Sequence, residues 1–215
     1  MPHIRSLERR RGALFLLAGG SLVVYATFNG IAASTGISYP AVENIFGPGG
    51  FVLGFLGLLG LYPSLADRSP KLARIGAVGA GLGAVGFTVI TAASFGRALG
   101  VVPTQEPAWF PVLLLLVALG MIPGYLTVAA ATLRTDVHPG RLGLLLLAPA
   151  VIFATMMTQA TLFRQFGLLS ETYLMWSATA ISAGQAVSHL AIGHVLRTER
   201  TGSDQEVPAG DAVTG

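Results

Sequence analysis

Residues 75–96 read IGAVGAGLGAVGFTVITAASFG, a stretch of 22 residues between Arg74 and Arg97 that contains no charged side chain. About 20 apolar residues are enough for a helix to cross the ~30 Å hydrocarbon core of a bilayer. Backbone amides must be hydrogen-bonded within the segment in lipid, so a run of this length is expected to be helical. The stretch therefore predicts a membrane-spanning helix.

Similar uncharged stretches, 22 to 31 residues long, occur on both sides of this one and bring the total to six. They begin directly after Arg11, Glu43, Arg74, Glu106, Arg141 and Glu171. We expect an all-α polytopic membrane protein, a bundle of six transmembrane helices joined by short loops. The predicted spans cover residues of about 12–34, 49–66, 75–95, 109–132, 142–162 and 172–196.

The composition supports a membrane protein with little mass outside the bilayer. Hydrophobic residues make up 53% of the 215-residue chain and charged residues 11%, which excludes a water-soluble globule and a wholly disordered chain. Residues 1–200 are expected to form one transmembrane domain. The remaining segment, residues 201–215, is polar and is predicted to be a disordered cytoplasmic tail.

The basic residues predict the orientation of the bundle. Of 13 lysines and arginines, all but Arg97 and Arg164 fall in segments that six spans would place on one side. Basic residues in short loops stay in the cytoplasm, so both termini are expected there. Orientation also explains the net charge of +3, so no nucleic-acid partner is expected. Lys71 is the single lysine beside many arginines, and Gly and Ala are abundant, a composition typical of a GC-rich prokaryotic genome. We therefore expect a cell membrane, specifically a prokaryotic plasma membrane.

Small residues recur at helical spacing in spans two and three. In span three they form two adjacent stripes, and in span two they form a third series: Gly76, Ala80 and Ala84; Gly79 and Gly83; Gly50, Gly54, Gly57 and Gly60. Lipid competes with large apolar side chains, so close backbone approach through small residues holds such helices together. We expect span three to be central and to touch at least two neighbours. The same faces are candidates for a membrane protein partner or a homo-oligomer.

Reactive groups are scarce. The chain has no cysteine, and no Asp, Glu, Lys or Arg lies within a predicted apolar core. Thiolate chemistry is excluded, and carboxylate-driven ion pumping is disfavoured. Lys71 is expected in a loop between two spans, where it cannot carry a retinal Schiff base. We expect no catalytic residue, no metal and no cofactor, and the lipid bilayer as the principal partner.

Span six carries the exceptions, with Ser182, Gln185 and His189 on one helical face. Polar side chains at that depth must find hydrogen-bond partners inside the bundle. The expected candidates for a shared polar cavity come from spans one, three, five and six: Asn29, Thr88, Thr155, Gln159, Ser182, Gln185 and His189. Two interpretations stay open, a site for a small solute or hydrogen bonding that only fixes the packing.

The expected function class is a non-catalytic membrane component that packs against or binds a partner, because small-residue faces abound and reactive groups do not. The alternative is a small-solute or ion permease or channel with a polar pathway between spans one, three, five and six. A membrane enzyme ranks third and would depend on His189 and the loop glutamates Glu43, Glu106 and Glu171.

Overall fold

The structure, a computed structural model, describes residues 2–102, 105 and 108–205, and these form helices and turns without any strand. The predicted all-α class is confirmed. In chain order the elements are α1 (Pro2–Thr35), α2 (Pro40–Leu59), α3 (Tyr62–Ala66), α4 (Pro70–Ala98), α5 (Phe110–Leu119), a π-helical turn (Gly120–Gly124), α6 (Tyr125–Arg134), α7 (Gly140–Phe166) and α8 (Glu171–Gln205).

Five helical segments are long and apolar enough to cross a membrane: Ser6–Thr35, Pro40–Ala66, Pro70–Arg97, Phe110–Arg134 and Gly140–Phe163. They overlap the first five predicted spans in sequence and are compatible with an integral membrane protein. Helix α8 is as long as α1 but less apolar, because Gln185, His189 and His194 interrupt its apolar residues.

The long helices form a closed ring. Helix α1 packs against α2, α2 against α4, α4 against the segment from α5 to α6, and this segment against α7. Helix α8 packs against α7 and along α1, which closes the ring. We call the end that contains Arg11 and Arg134 the basic end. The end that contains Thr35 and Gly167 is the opposite end.

Local sequence signals set the helix ends. Pro40 and Pro70 occupy first-turn positions of α2 and α4, where the missing amide hydrogen costs nothing. The Ser170 hydroxyl accepts the backbone N–H of Tyr173 at 3.2 Å and caps α8. Gly167 ends α7 with φ of +60°, a left-handed conformation that glycine adopts without steric cost.

Helix α2 begins earlier than predicted. Span two was predicted to begin at about residue 49, yet the helix starts at Pro40 and contains Pro48. A proline disfavours helical backbone in the residue before it, largely by a clash with that residue's β-carbon. Gly47 has no β-carbon and lies directly on the Tyr25 ring, so the helix continues through this point.

Helix α8 continues to Gln205, five residues into the predicted tail. Residues 206–215, for which disorder was predicted, lie outside the described part of the chain. The π-helical turn contains Pro123, and α7 runs through Pro149 as one helix.

Helix α4 meets both of its neighbours through glycine, as predicted, but it stands in the ring and not at its centre. A β-carbon at Gly120 would lie 2.5 Å from the Gly83 α-carbon, and one at Gly79 would lie 2.8 Å from that of Gly124. Backbones this close exclude any larger side chain. The π-helical turn is thus fixed against α4.

The glycines of α2 also face inward. A β-carbon at Gly50 would meet Leu22, and one at Gly57 would meet the ring of Phe15. Beneath them the interior is filled by apolar and aromatic side chains, with Phe15, Phe55 and Met121 fully buried. The small-residue faces of α2 and α4 therefore pack within the chain.

Candidate functional site

The polar residues of α8 face the interior of the ring. Gln185 and His189 are 1% and 0% exposed, and Ser182 and Ser188 are also buried. The common face of Ser182, Gln185 and His189 was predicted from the helical spacing. Because buried polar groups are costly without partners, each hydrogen bond they make is informative.

His189 is held at the centre of the bundle by two hydrogen bonds. Its Nδ1 lies 2.7 Å from the backbone oxygen of Gln185, and its Nε2 lies 3.0 Å from the hydroxyl of Tyr125. A carbonyl oxygen can only accept, so Nδ1 carries the proton and Nε2 accepts the tyrosine O–H. The imidazole also contacts the rings of Phe15 on α1 and Phe51 on α2, so α8 packs directly against both helices at this level.

Gly54 on α2 makes room for this pair. A β-carbon at position 54 would lie 2.7 Å from His189 Nε2 and 3.1 Å from the Tyr125 hydroxyl. Helices α2, α6 and α8 therefore meet at one level, one helical turn from Gln185 towards the basic end. This level is tightly packed and closes the interior towards the basic end.

The amide of Gln185 is only half satisfied. Its Nε2 donates to the backbone oxygen of Pro149 on α7 at 2.9 Å. A carbonyl can bond only the nitrogen of that amide, so the geometry identifies the other atom as Oε1. Oε1 is buried and has no hydrogen-bond partner among the described residues. A buried amide oxygen with no donor is destabilising, by about 1–3 kcal/mol.

Asn29 and Ser182 link α1 to α8 one turn further towards the opposite end. The Asn29 side-chain nitrogen donates to the Ser182 hydroxyl at 3.1 Å. The Ser182 hydroxyl donates in turn to the backbone oxygen of Ala178 at 2.7 Å. The Asn29 side-chain nitrogen and the Ser182 hydroxyl thus both have partners, close to Gln185.

A cavity of about 200 Å³ lies inside the ring, between this polar level and the opposite end. All six long helical segments contribute to its wall. On α8, Ser182 contributes a hydroxyl and Gln185 an amide to the lining. The remaining lining residues are Tyr25, Gly47, Pro48, Phe51, Phe87, Ile90, Leu114, Val117, Phe153, Met156, Met157, Ala178 and Ile181. We call this space the central cavity.

The chemistry of the central cavity restricts its occupant. An ion would lose its hydration against aromatic and aliphatic walls without compensation, which is strongly unfavourable. Small apolar molecules can occupy such spaces, since a cavity of about 150 Å³ lined by similar residues takes up benzene. Gln185 is one of the lining residues, and its Oε1 is a buried hydrogen-bond acceptor with no partner among the described residues. The arrangement suits an aromatic or similarly sized apolar group with one donor.

The other residues predicted to line a polar pathway lie elsewhere. Thr88 and Thr155 are exposed on the outside of the ring, and their hydroxyls donate to the backbone oxygens of Ala84 and Val151. Gln159 lies near the opposite end of α7, with its amide nitrogen 3.4 Å from the Tyr173 hydroxyl. Of the seven candidates, the structure joins Asn29, Ser182, Gln185 and His189 into one region.

Two partners were not identified from the sequence. Tyr125 lies in the fourth span, and a tyrosine within an apolar run was a usable signal because its hydroxyl needs a partner in lipid. The Pro149 carbonyl carried no such signal, since every residue has a backbone oxygen. Both are contributed by helices whose rotation the sequence pattern did not define.

The loop glutamates do not join the buried histidine. Glu43 accepts the backbone N–H of Tyr39 at 2.8 Å at the start of α2, and Glu171 begins α8. Glu106 lies outside the described residues. Within the described part of the chain, no three His, Asp or Glu side chains come together in a metal-binding group.

Comparison of the chain with protein-family models, with curated proteins and with solved structures finds no match. The interpretation of the central cavity therefore depends on its own residues.

Proposed function

We propose that this chain is a membrane protein that binds a small, largely apolar molecule with one hydrogen-bond donor in the central cavity. The observation that carries the proposal is Gln185, which lines a largely apolar cavity and whose buried Oε1 has no hydrogen-bond partner among the described residues. A ligand hydroxyl or N–H would satisfy this oxygen. The proposal is a narrowed form of the permease alternative, because the apolar walls exclude ions as substrates.

Passage of the ligand across the membrane would require the helices to move apart between the central cavity and the basic end. The level of Tyr125 and His189 is closed, and Gln185 bonds to the helix that contains Pro149. The π-helical turn around Pro123 directly precedes Tyr125. π-Helical turns and prolines are common points of helix bending. These positions favour a permease that opens towards the basic end when the α5–α6 segment and α7 bend.

We infer that α8 is the sixth span, with both termini in the cytoplasm of a prokaryotic cell. The polar side chains that lower the apolar character of α8 are buried in the ring, and its outward face carries residues such as Val187. Helix α8 also runs along α1, which is apolar enough to span. The basic residues at the basic end support the orientation.

A partner protein or homo-oligomer stays a prediction. Its motive was the small-residue faces of spans two and three, and most of those glycines pack against other parts of the same chain. Gly49 and Gly81, which were not part of those faces, have open space beside them. For this reason ligand binding, and not partner binding, is the proposal.

Phenol is expected to stabilise the purified protein through Gln185. Phenol at ten times its dissociation constant should raise the unfolding midpoint by roughly 3 °C. Benzene at the same concentration should raise it less, because benzene has no hydrogen-bond donor and should bind more weakly. In Gln185→Leu the advantage of phenol over benzene should disappear, because the acceptor is gone. Thermal unfolding in detergent with each compound is the measurement.

The matched control is Gln159→Leu, which removes the same amide near the opposite end of α7 and should leave the phenol effect unchanged. Equal shifts from phenol in wild type, Gln185→Leu and Gln159→Leu would mean that phenol acts through the detergent or the surface. That result would contradict binding in the central cavity.

Cysteine labelling is expected to place the two ends of α8 on opposite sides of the membrane. The chain has no native cysteine, so Ser170→Cys and Thr198→Cys introduce single thiols at exposed positions, one before the start of α8 and one in its last two turns. A membrane-impermeant maleimide should label Ser170→Cys in intact cells and Thr198→Cys in inverted vesicles. Labelling of both from the same side would show that α8 does not span.

A further inference from the structure

A second polar cluster lies at the basic end, away from the central cavity. It joins Ser64 of α3, His138 in the turn between α6 and α7, Glu199 near the end of α8, and Arg11 of α1. His138 is only 6% exposed, although the sequence places it in a loop. Four parts of the chain therefore converge on a buried imidazole.

The imidazole of His138 connects a hydroxyl to a carboxylate. Its Nδ1 lies 3.1 Å from Glu199 Oε2, and its Nε2 lies 3.0 Å from Ser64 Oγ. With Nδ1–H donated to the carboxylate, Nε2 is free to accept a proton from the serine. This order of hydroxyl, imidazole and carboxylate is the arrangement by which enzymes activate a serine nucleophile, on many unrelated folds.

The cluster lies in the wall of a cleft of about 800 Å³ at the basic end. This volume falls within the range of sites that bind small organic molecules. Ser64, His138 and Glu199 all line it, together with apolar side chains and charged groups of both signs: Val137, Pro139, Leu196, Glu8, Arg9, Arg11 and Asp136. A reactant in the cleft would therefore meet the serine directly.

We propose that Ser64, His138 and Glu199 form a catalytic serine site that hydrolyses short-chain carboxylic esters. Ser64 is the nucleophile and His138 the general base, while Glu199 is a positioning residue that holds the imidazole. Arg11 supplies a charged donor beside the nucleophile, because its Nη1 lies 3.1 Å from Ser64 Oγ. This site shares no residue with the central cavity, so the two proposals are independent.

The serine proton has two acceptors within reach. Ser64 Oγ lies 2.9 Å from the backbone oxygen of Leu61 and 3.0 Å from His138 Nε2. A hydroxyl has one hydrogen and rotates to suit its surroundings. The inactive rotamer donates to Leu61, and the reactive rotamer donates to His138. Arg11 can donate to the oxygen lone pair in both.

The reaction balances without any further reagent than water. Ser64 Oγ forms a bond to the ester carbonyl carbon while its proton moves to His138 Nε2. The C–O bond to the alcohol then breaks, and the alcohol leaves with that proton. Water repeats the two steps on the acyl-serine, which releases the carboxylic acid and restores the serine. The net change is ester plus water to acid plus alcohol.

Esters fit this cleft better than peptides. One common way to hold an extended peptide is main-chain pairing with a strand edge, and the described residues contain no strand. An ester needs no such pairing and has a better leaving group than an amide. The apolar side chains of Val137 and Leu196 suit a short acyl chain.

Labelling with a fluorophosphonate–rhodamine probe tests the nucleophile. Purified full-length protein should become fluorescent, with the mass increment mapped to the peptide containing Ser64, as Oγ displaces fluoride. Ser64→Ala should not be labelled, whereas Ser69→Ala, at a serine that lies outside the cluster, should be labelled as fast as wild type. Because the adduct is mapped on wild type, the result does not depend on how well Ser64→Ala folds.

Hydrolysis of p-nitrophenyl butyrate tests the other two residues. His138→Gln should lower kcat at least about 100-fold, the usual contribution of a general base. Glu199→Gln should lower kcat with little change in KM, and Glu199→Asp should restore part of it, which a purely structural contact would not produce. Monodisperse elution and unchanged thermal unfolding establish folding for each variant.

Folded wild-type protein that stays unlabelled, or a label mapped away from Ser64, would overturn the proposal. Labelling and hydrolysis that are unchanged in folded His138→Gln would overturn it as well. Phenol binding in the central cavity would be unaffected by either outcome.

Discussion

Replacing Gly120 with alanine should lower the free energy of unfolding of the bundle by about 2–3 kcal/mol, the upper part of the range for overpacked interiors. The new β-carbon would lie 2.5 Å from the Gly83 α-carbon and 2.9 Å from its nitrogen. Both are backbone atoms, so no side-chain rotation relieves the contact. The π-helical turn and α4 would have to move apart. Unfolding in mixed micelles with increasing dodecyl sulfate measures the loss.

The matched control is Gly81→Ala, two residues from Gly83 on α4, where a β-carbon would meet nothing within 4 Å. Alanine favours helix over glycine by about 1 kcal/mol, so this variant should be neutral or more stable. Equal stability of Gly120→Ala and Gly81→Ala would show that α4 and the π-helical turn are not in direct contact.

Removing one member of the central hydrogen-bonded pair should destabilise the protein and leave the other unsatisfied. Tyr125→Phe deletes the donor to His189 Nε2, and His189→Leu deletes the acceptor of the Tyr125 hydroxyl. Each single variant should lose about 1–3 kcal/mol, the cost of an unpaired buried polar group. The same mixed-micelle unfolding assay gives both values.

The double variant Tyr125→Phe/His189→Leu should lose less than the sum of the two. Coupling energies of hydrogen bonds between membrane helices average about 0.6 kcal/mol and reach about 1.7, and the full burial of this pair favours the upper value. Tyr173→Phe, at an exposed tyrosine near the opposite end, should change stability by less than about 0.5 kcal/mol. Strict additivity would contradict a direct bond between Tyr125 and His189.

In this bundle, small residues and hydrogen-bonded polar pairs set the distances between helices. Gly54 illustrates it, because its missing side chain admits both the imidazole of His189 and the hydroxyl of Tyr125. In lipid there is little hydrophobic drive between helices, so close packing and hydrogen bonds must hold them. The packing between the helices is incomplete at the central cavity, on the side of Tyr125 and His189 that faces the opposite end.

Several features of the site followed from the sequence alone. Helical spacing put Ser182, Gln185 and His189 on one face, and the cost of burying them in lipid predicted that they face inward. Thr88 and Thr155 were less informative, because a threonine hydroxyl can bond to its own helix four residues back. Such a residue is satisfied on any face, so its presence does not reveal its direction.

The basic-end cluster shows the limit of sequence patterns more clearly. Ser64 and His138 are 74 residues apart, and Glu199 lies 61 residues beyond His138. Each lies at a helix end or in a turn, where no periodicity constrains direction. They come together because the ring closes, which brings α8 beside α1 and the turn after α6.

The sequence by itself determined that the chain is helical and able to enter a membrane, because uncharged runs of 22 residues or more have few other stable forms. It also determined which face of α8 is polar. The tertiary structure alone decided which helices are neighbours and how each is rotated about its axis. Those choices depend on contacts between distant residues, such as Gly83 with Gly120 and Tyr125 with His189. Local spacing carries no information about them.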